Sequence, residues 1–308
     1  MIAITLGDPA GVGPEVLLKA LPYFKRHLKK FLIIGDKKVL EARAKLFSLK
    51  LPHEVEILSV SELDVEPSQP TLEGFQAMLT YLETAISLAK EKRVKAIVTL
   101  PITKEGLAKV GSKYRGHTEL LADAFGVKDY VMCFYGRRLI VSLLTTHLPL
   151  KEVPGALSEE KVISVAKLSY EFLRKIKPKK KSLSLALCGV NPHAGEGGLL
   201  GEEELRILFP AVEKSKALGI PLSGPYSADS LFYHAVKGRY DLVIAIYHDQ
   251  GLAPFKLIHF KDGVNVTLGL PIVRTSPCHG TAYDIAPLGV ASPKSLISAL
   301  KLSLKLLD

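Results

Sequence analysis

From end to end the chain alternates short runs rich in Val, Ile and Leu with longer segments of helical periodicity. IAITL (2–6), FLIIG (31–35), EVEILSV (54–60) and KAIVTLP (95–101) are too short for core helices and read as strands. YVMCFYG and RLIVSLLTT, over 130–146, read as two strands joined at Gly136-Arg137. Residues 72–92 place Leu72, Phe75, Leu79, Leu82, Ile86 and Ala89 on one helical face. Ser158 is a cap for a helix running to about 176, with Glu159 and Glu160 in its first turn. Further helices are expected at 117–125, from about 201, at 228–238 and over 292–307. Such alternation predicts an α/β fold with helices on both faces of a mostly parallel sheet, a three-layer α/β/α architecture. At 308 residues the chain fits one large domain or two lobes, and no composition shift marks a linker. The expected organisation over 1–308 is therefore a single catalytic unit of two interleaved lobes with a cleft.

Three of the apolar runs end in histidine: RLIVSLLTTH at His147, SLSLALCGVNPH at His193 and DLVIAIYH at His248. Each run reads as a buried strand of a parallel sheet, and ligands bind outside the carboxyl ends of such strands. Taken singly, each histidine reads as a satisfied side chain near a strand end. Together they favour a divalent metal, because three imidazoles leave coordination positions open for substrate. Such a set accepts Zn, Mg, Co or Mn.

The net charge of +10 comes mostly from lysine, densest at Lys177-Pro178-Lys179-Lys180-Lys181. That run has no aromatic partners and falls in a helix-to-strand connection. It reads as solvated surface rather than a nucleic-acid site, although a positive field favours an anionic small substrate. No apolar run reaches the roughly 18–20 residues that span a bilayer, and MIAITLGDPAGVGPE lacks a basic leader. Cys133, Cys188 and Cys278 form no CxxC, which points to a reduced cytoplasmic protein. Asparagine occurs only at 191 and 265, and glutamine only at 69, 76 and 250. Both asparagines and Gln250 fall in the segments singled out below.

Gly7-Asp8-Pro9-Ala10-Gly11-Val12-Gly13-Pro14-Glu15 follows the first strand. It lacks the third glycine of a dinucleotide fingerprint, and Asp8 would repel a pyrophosphate, so a tight strand-to-helix turn is as good a reading as an anion site. His117 and Thr118 open a helix whose free N–H groups suit an anion. Asn191 to Gly198 is a glycine-rich turn directly after a strand, read as a metal or substrate loop. In YHDQGLAPFK, His248 is followed by the adjacent Asp249 and by Lys256, giving a ligand, an orienting carboxylate and an anion-pairing cation. Asn265 and Arg274 lie on two further strands, and an arginine among apolar residues needs an anionic partner.

GDPAGVGPE, GHTELLAD, NPHAGEGG, YHDQGLAPFK and HGTAYDIA, in this order over nearly the full length, resemble the 4-hydroxythreonine-4-phosphate dehydrogenase family of pyridoxal phosphate (vitamin B6) biosynthesis. The resemblance implies NAD- and metal-dependent oxidation of 4-(phosphooxy)-L-threonine, a secondary alcohol, with decarboxylation to 3-amino-2-oxopropyl phosphate. It implies a homodimer with its site at the subunit interface and a divalent metal on His147, His193 and His248. Substrate contacts are implied at His117, Thr118, Lys256, Asn265 and Arg274. The HGTAYDIAPLGVASP segment also resembles the adenosine-binding loop of isocitrate and isopropylmalate dehydrogenases. That likeness implies their fold, and cofactor contacts (NAD or NADP) at His279, Gly280, Thr281, Ala282 and Asp284. Asp249, Asp229 and Lys256 are the candidate proton acceptors. A sister group of the same fold oxidises 4-phospho-threonate or 4-phospho-erythronate, and the motifs separate it poorly. A three-histidine zinc hydrolase, active without NAD, is the more distant reading.

Overall fold

The computed structural model describes residues 1–114 and 116–307. In chain order the elements are β1 (Ile2–Thr5), α1 (Gly13–Ala20), β2 (Phe31–Gly35), α2 (Lys37–Leu46), β3 (Glu56–Ser59), α3 (Leu72–Lys90), β4 (Ala96–Thr99), α4 (Lys104–Lys109) and α5 (His117–Ala124). There follow β5 (Val131–Tyr135), β6 (Ile140–Leu143), α6 (Glu159–Ile176), β7 (Leu185–Cys188), α7 (Phe209–Ala217), β8 (Leu222–Tyr226), α8 (Ala228–Val236), β9 (Leu242–Ala245) and α9 (His248–His259). Last come β10 (Val264–Leu268), β11 (Val273–Pro277) and α10 (Lys294–Leu307). Two compact units result: Met1–Lys128 with Lys261–Asn265 and Leu270–Asp308, and Asp129–Phe260 with Val266–Gly269. No helix among the described residues is long and apolar enough to cross a membrane.

In the first unit the parallel order is β3-β2-β1-β4-β11. Thr5 on the central β1 stands opposite Ile34 on one side and Thr99 on the other. The neighbours β1, β4 and β11 therefore deliver the loops after Thr5, Thr99 and Pro277 to one end of the sheet. Helix α3 forms where its periodicity predicts, capped by Thr71 through the Gly74 N–H. Its buried stripe includes Phe75, Leu82, Ile86 and Ala89 as expected and widens to take in Met78, Tyr81 and Ala85, while Leu72 is 57% exposed. Tyr81 can occupy the core because its hydroxyl shares a 2.8 Å hydrogen bond with Ser61.

In the second unit the order is β5-β6-β9-β7-β8, with β5 antiparallel to β6 and the other pairs parallel. The hairpin at Gly136-Arg137 forms as predicted, closed by the Gly136 N–H on the Leu139 carbonyl at 3.0 Å. The three histidine-ended runs are thus the adjacent parallel strands β6, β9 and β7. Helix α9 was not legible as a helix because Gly251 and Pro254 lie inside it. Gly251 is needed for close approach: a Cβ there would meet Val141 at 2.8 Å and Ala245 and Leu143 at 2.9 Å.

Two lysines of the basic run have a structural task. Asp241, just before β9, accepts from Lys177 and Lys180, both at 2.7 Å, and from the Ser184 N–H at 2.9 Å. Burial pushes the Asp241 carboxyl up, but these hydrogen bonds outweigh it and hold the carboxyl below its ordinary value. A carboxylate whose folded pKa is depressed stabilises the fold above its unfolded pKa. That stability is lost as pH falls through the folded pKa. Asp241→Asn should cost about 2 kcal/mol at pH 7 by urea unfolding, with the difference from wild type shrinking in acid. An undiminished difference at acid pH would exclude this account.

Candidate active site

The second unit places His147 four residues past β6 and His248 at the first position of α9. Their rings lie 5.7 Å apart, centroid to centroid, at 36°. Asp249 shares a 2.7 Å hydrogen bond with His248 Nδ1. A carboxylate there fixes the Nδ1–H tautomer and leaves Nε2 free as a ligand nitrogen. Two imidazoles side by side, one oriented by a carboxylate, fit a divalent ion of nitrogen preference. Among the described residues of one chain, no group of three or more His, Cys, Asp or Glu could hold a metal ion.

His193 follows β7 on an exposed turn of unusual backbone. Residues 193 to 198 all have positive φ: His193 +52°, Ala194 +53°, Gly195 +82°, Glu196 +46°, Gly197 +65° and Gly198 +99°. A non-glycine residue in that region costs on the order of 1–2 kcal/mol, and three of these six carry side chains beyond Cα. The stem of the turn is fixed by groups that sequence reasoning did not select. Buried Glu204 accepts from the Val190 and Asn191 N–H groups at 2.7 and 2.8 Å and from Asn191 Nδ2 at 2.9 Å. Gln250 donates to the Gly189 carbonyl at 2.8 Å and accepts from the Ile246 N–H at 2.7 Å, tying the end of β9 to the end of β7.

The other predicted residues of this unit are spread out. Asp229, at the start of α8, accepts from Ser227 at 2.5 Å. That bond, then the Ser230 backbone and the nearby His193, hold its carboxyl below the ordinary value. Lys256 is exposed on α9, two turns from His248, about 12 Å along the axis.

The first unit holds four of the predicted substrate residues, His117, Thr118, Asn265 and Arg274. Arg274 on β11 is 3% exposed, and its Nη2 donates to Thr99 Oγ1 at 2.9 Å. Burial pulls its guanidinium down to about 10 and Glu119 opposes the shift, so it stays charged at neutral pH. Burial, reinforced by the Arg274 charge, drives His117 well below its ordinary value, so its imidazole is neutral. Its Nε2 is buried with no hydrogen-bond partner among the described residues, as is Asn265 Oδ1. Thr118 is buried in the first turn of α5, whose N–H groups have no intrahelical acceptor.

The predicted cofactor loop is stitched to the glycine-rich turn after β1. The Thr281 carbonyl accepts from the Val12 N–H at 2.9 Å, and Tyr283 donates to Asp8 at 2.5 Å. Glu15 accepts from the Ala291 N–H at 2.9 Å, and Lys19 donates to the Gly289 and Ala291 carbonyls at 2.7 and 3.1 Å. A Cβ on Gly11 would stand 2.8 Å from the Thr281 carbonyl, so only glycine admits the contact. Burial pushes the Asp8 carboxyl up, against the bonds from Tyr283 and the Ala10 N–H. His279 keeps a buried Nε2 without a hydrogen-bond partner among the described residues, beside Gly280, while Ala282 adopts φ +45° two residues before Asp284.

Comparison with known proteins identifies the company this chain keeps. Residues 27–303 match the family described as pyridoxal phosphate biosynthetic protein PdxA. The 4-hydroxythreonine-4-phosphate dehydrogenase of Desulforapulum autotrophicum is 42% identical over 98% of this chain and 94% of its own length. The D-threonate 4-phosphate dehydrogenase of Pectobacterium atrosepticum is 37% identical over 99% of each chain. The crystal structure of 4-hydroxythreonine-4-phosphate dehydrogenase from Klebsiella pneumoniae superposes with a TM-score of 0.86 at 35% identity, covering 100% of this chain and 99% of that one. Isocitrate dehydrogenase from Methylococcus capsulatus shares the fold, with a TM-score of 0.55 at 15% identity over 100% of this chain and 85% of that one.

Proposed function

Since the chain belongs to the pyridoxal phosphate biosynthetic protein PdxA family, we propose that it oxidises the secondary hydroxyl of 4-(phosphooxy)-L-threonine with decarboxylation, using a nicotinamide cofactor and a divalent ion. The observation that carries this is the His147–His248 pair with its orienting Asp249, in a chain that also holds a buried arginine beside a neutral histidine. When bound, the ion supplies Lewis-acid polarisation of an alcohol or carbonyl oxygen, and the nicotinamide accepts hydride.

The chain's own residues do the rest. Charged Arg274, with Thr118 and neutral His117 as donors, holds substrate anion, and Asn265 offers a carbonyl acceptor to its amine or hydroxyl. His147, His193 and His248 hold the ion. Asp249 is committed to orienting His248. Asp229 is held in its carboxylate form and is a weak base. Of the three candidates this leaves Lys256 as the proton acceptor. His279, Gly280, Thr281, Ala282 and Asp284 would hold the cofactor. The metal set closes at the interface with a second copy of the chain. Exposed Leu199, Leu200, Leu205 and Phe209, just beyond the His193 turn, are the apolar surface such a dimer would cover.

The test is reduction of NAD or NADP, followed by absorbance, with 4-(phosphooxy)-L-threonine and with 4-phospho-D-threonate, before and after chelation and metal add-back. Metal-dependent reduction with the amino-acid phosphate and release of CO2 is expected. Reduction with the phosphorylated acid alone moves the protein to the sister activity, and silence with both restores the hydrolase reading.

A further inference from the structure

We infer that Glu204 is a positioning residue: its buried carboxylate holds the left-handed turn that presents His193. The inference rests on the proposed role of His193 as a metal ligand.

The turn, Pro192–Gly198, is one 3-10-type element with six consecutive positive-φ residues. Backbone of this kind persists only where its surroundings over-determine it. Glu204 supplies that constraint at the point where the chain leaves β7. It accepts three hydrogen bonds, all from peptide or amide N–H groups of Val190 and Asn191. Both of its oxygens also shape the backbone: a Cβ on Gly189 would stand 3.1 Å from Oε1, and one on Gly195 would stand 2.7 Å from Oε2. Two glycines thus keep the turn wrapped closely around the carboxylate.

Burying a carboxylate at 1% exposure is unfavourable unless its oxygens are satisfied. Here they are satisfied by the stem of a turn. Glu204 begins a single π-helical turn, Glu204–Leu208, a departure from α geometry that aims a side chain out of the ordinary register. Gln250, two residues past His248, grips the Gly189 carbonyl of the same stem. The segment carrying His193 is therefore fixed both by Glu204 and by the strand end that carries His248.

The experiment titrates the purified full-length apo protein with Co2+, following the visible d–d bands, and with Zn2+ against a chromophoric chelator. Urea unfolding of each apo variant runs in parallel. In Glu204→Gln one carbonyl oxygen can keep the two peptide bonds, but the new amide NH2 faces Asn191 Nδ2, donor against donor. A 10- to 100-fold weaker Co2+ affinity is expected, in the range for lost orienting groups, with altered band intensities at temperatures where the variant is fully folded. Asn191→Ala, which removes the side-chain bonds to Glu204 and Glu203 and keeps the two peptide bonds to Glu204, should give a smaller loss in the same direction, and it decides the matter should Glu204→Gln fail to fold. Wild-type Co2+ affinity in the folded Glu204 and Asn191 variants, with His193→Ala impaired, would overturn the role of Glu204 and leave His193 a ligand. Wild-type affinity and bands in His193→Ala would remove the ligand role itself, and the inference with it.

Discussion

Arg274→Met is expected to abolish useful substrate binding while leaving the protein as stable as before, or more so. The guanidinium is 3% exposed on β11, beside β4 in the first unit. Burial already weakens its hold on its proton, to about 10. A buried cation is poor evidence for stability, because an apolar side chain of similar volume removes the desolvation cost altogether. Glu119 interacts with it but is only half-buried and keeps its own hydration. Binding is another matter. A desolvated, charge-assisted contact to a phosphate or carboxylate is worth about 2–5 kcal/mol when one partner is truncated. KM for the phosphorylated substrate should therefore rise by roughly 30-fold to several thousand-fold, with the unfolding temperature unchanged or raised. Loss of stability with KM intact would make Arg274 a structural ion-pair member instead. Burial is the main cause that holds His117 in its neutral form, and the same charge adds to it, so the variant should move that histidine's protonation part of the way back toward its ordinary pH, visible by NMR titration.

The contrast between what was legible in the sequence and what was not follows the range of the forces involved. Strands β1, β2, β4, β6, β7 and β9 are local facts: runs of Val, Ile and Leu between turn residues form strands wherever they pair. That three of them would stand side by side as β6-β9-β7 is not local. Yet the histidine at each end carried the inference, since parallel strands share one carboxyl edge. Helix α9 was hidden because its Gly251 answers to Val141 and Leu143 on β6, not to its own helix. The stripe on α3 is wider than its periodicity shows because of a polar tip: Tyr81 reads as a boundary residue until Ser61, twenty positions away, shares a hydrogen bond with its hydroxyl.

The same reasoning explains the site residues that were passed over. Glu204 sits in the acidic stretch Gly201-Glu202-Glu203-Glu204, which reads as a solvated helix start. Only the turn wrapped around it reveals a buried carboxylate. Asp8 read as a residue that would repel a pyrophosphate, and its partner Tyr283 lies 275 positions away. What joins them is the adjacency of β1, β4 and β11, which sets their loops together. A signal did exist in composition. In a chain with two asparagines, one directs its amide to Glu203 and Glu204 and the other keeps a buried acceptor without a partner among the described residues. Scarce amides placed where no helix or strand needs them mark positions selected for a specific hydrogen bond.

His248→Ala and Asp249→Asn should separate a ligand from the group that orients it. His248 begins α9 directly after the central strand of its unit, and its ring faces His147 at 5.7 Å. Removing it takes away one nitrogen of a small set, so the purified protein should carry little metal by elemental analysis. Metal polarisation of a reacting oxygen is worth several kcal/mol, so turnover should fall by about a thousand-fold or more. Excess metal should restore little of it, because the missing nitrogen has no substitute. Asp249→Asn keeps the imidazole but presents an amide to Nδ1 at the 2.7 Å contact. An amide can still accept through its oxygen, without the charge that strengthens the bond and raises ligand basicity. Metal affinity should fall about 10- to 100-fold, and added metal should recover most of the turnover. The two variants therefore differ in kind: one defect yields to saturating metal and the other does not. If both recover fully with added metal, His248 is not a ligand. If neither does, Asp249 acts on the substrate itself, and proton acceptance passes from Lys256 to that carboxylate.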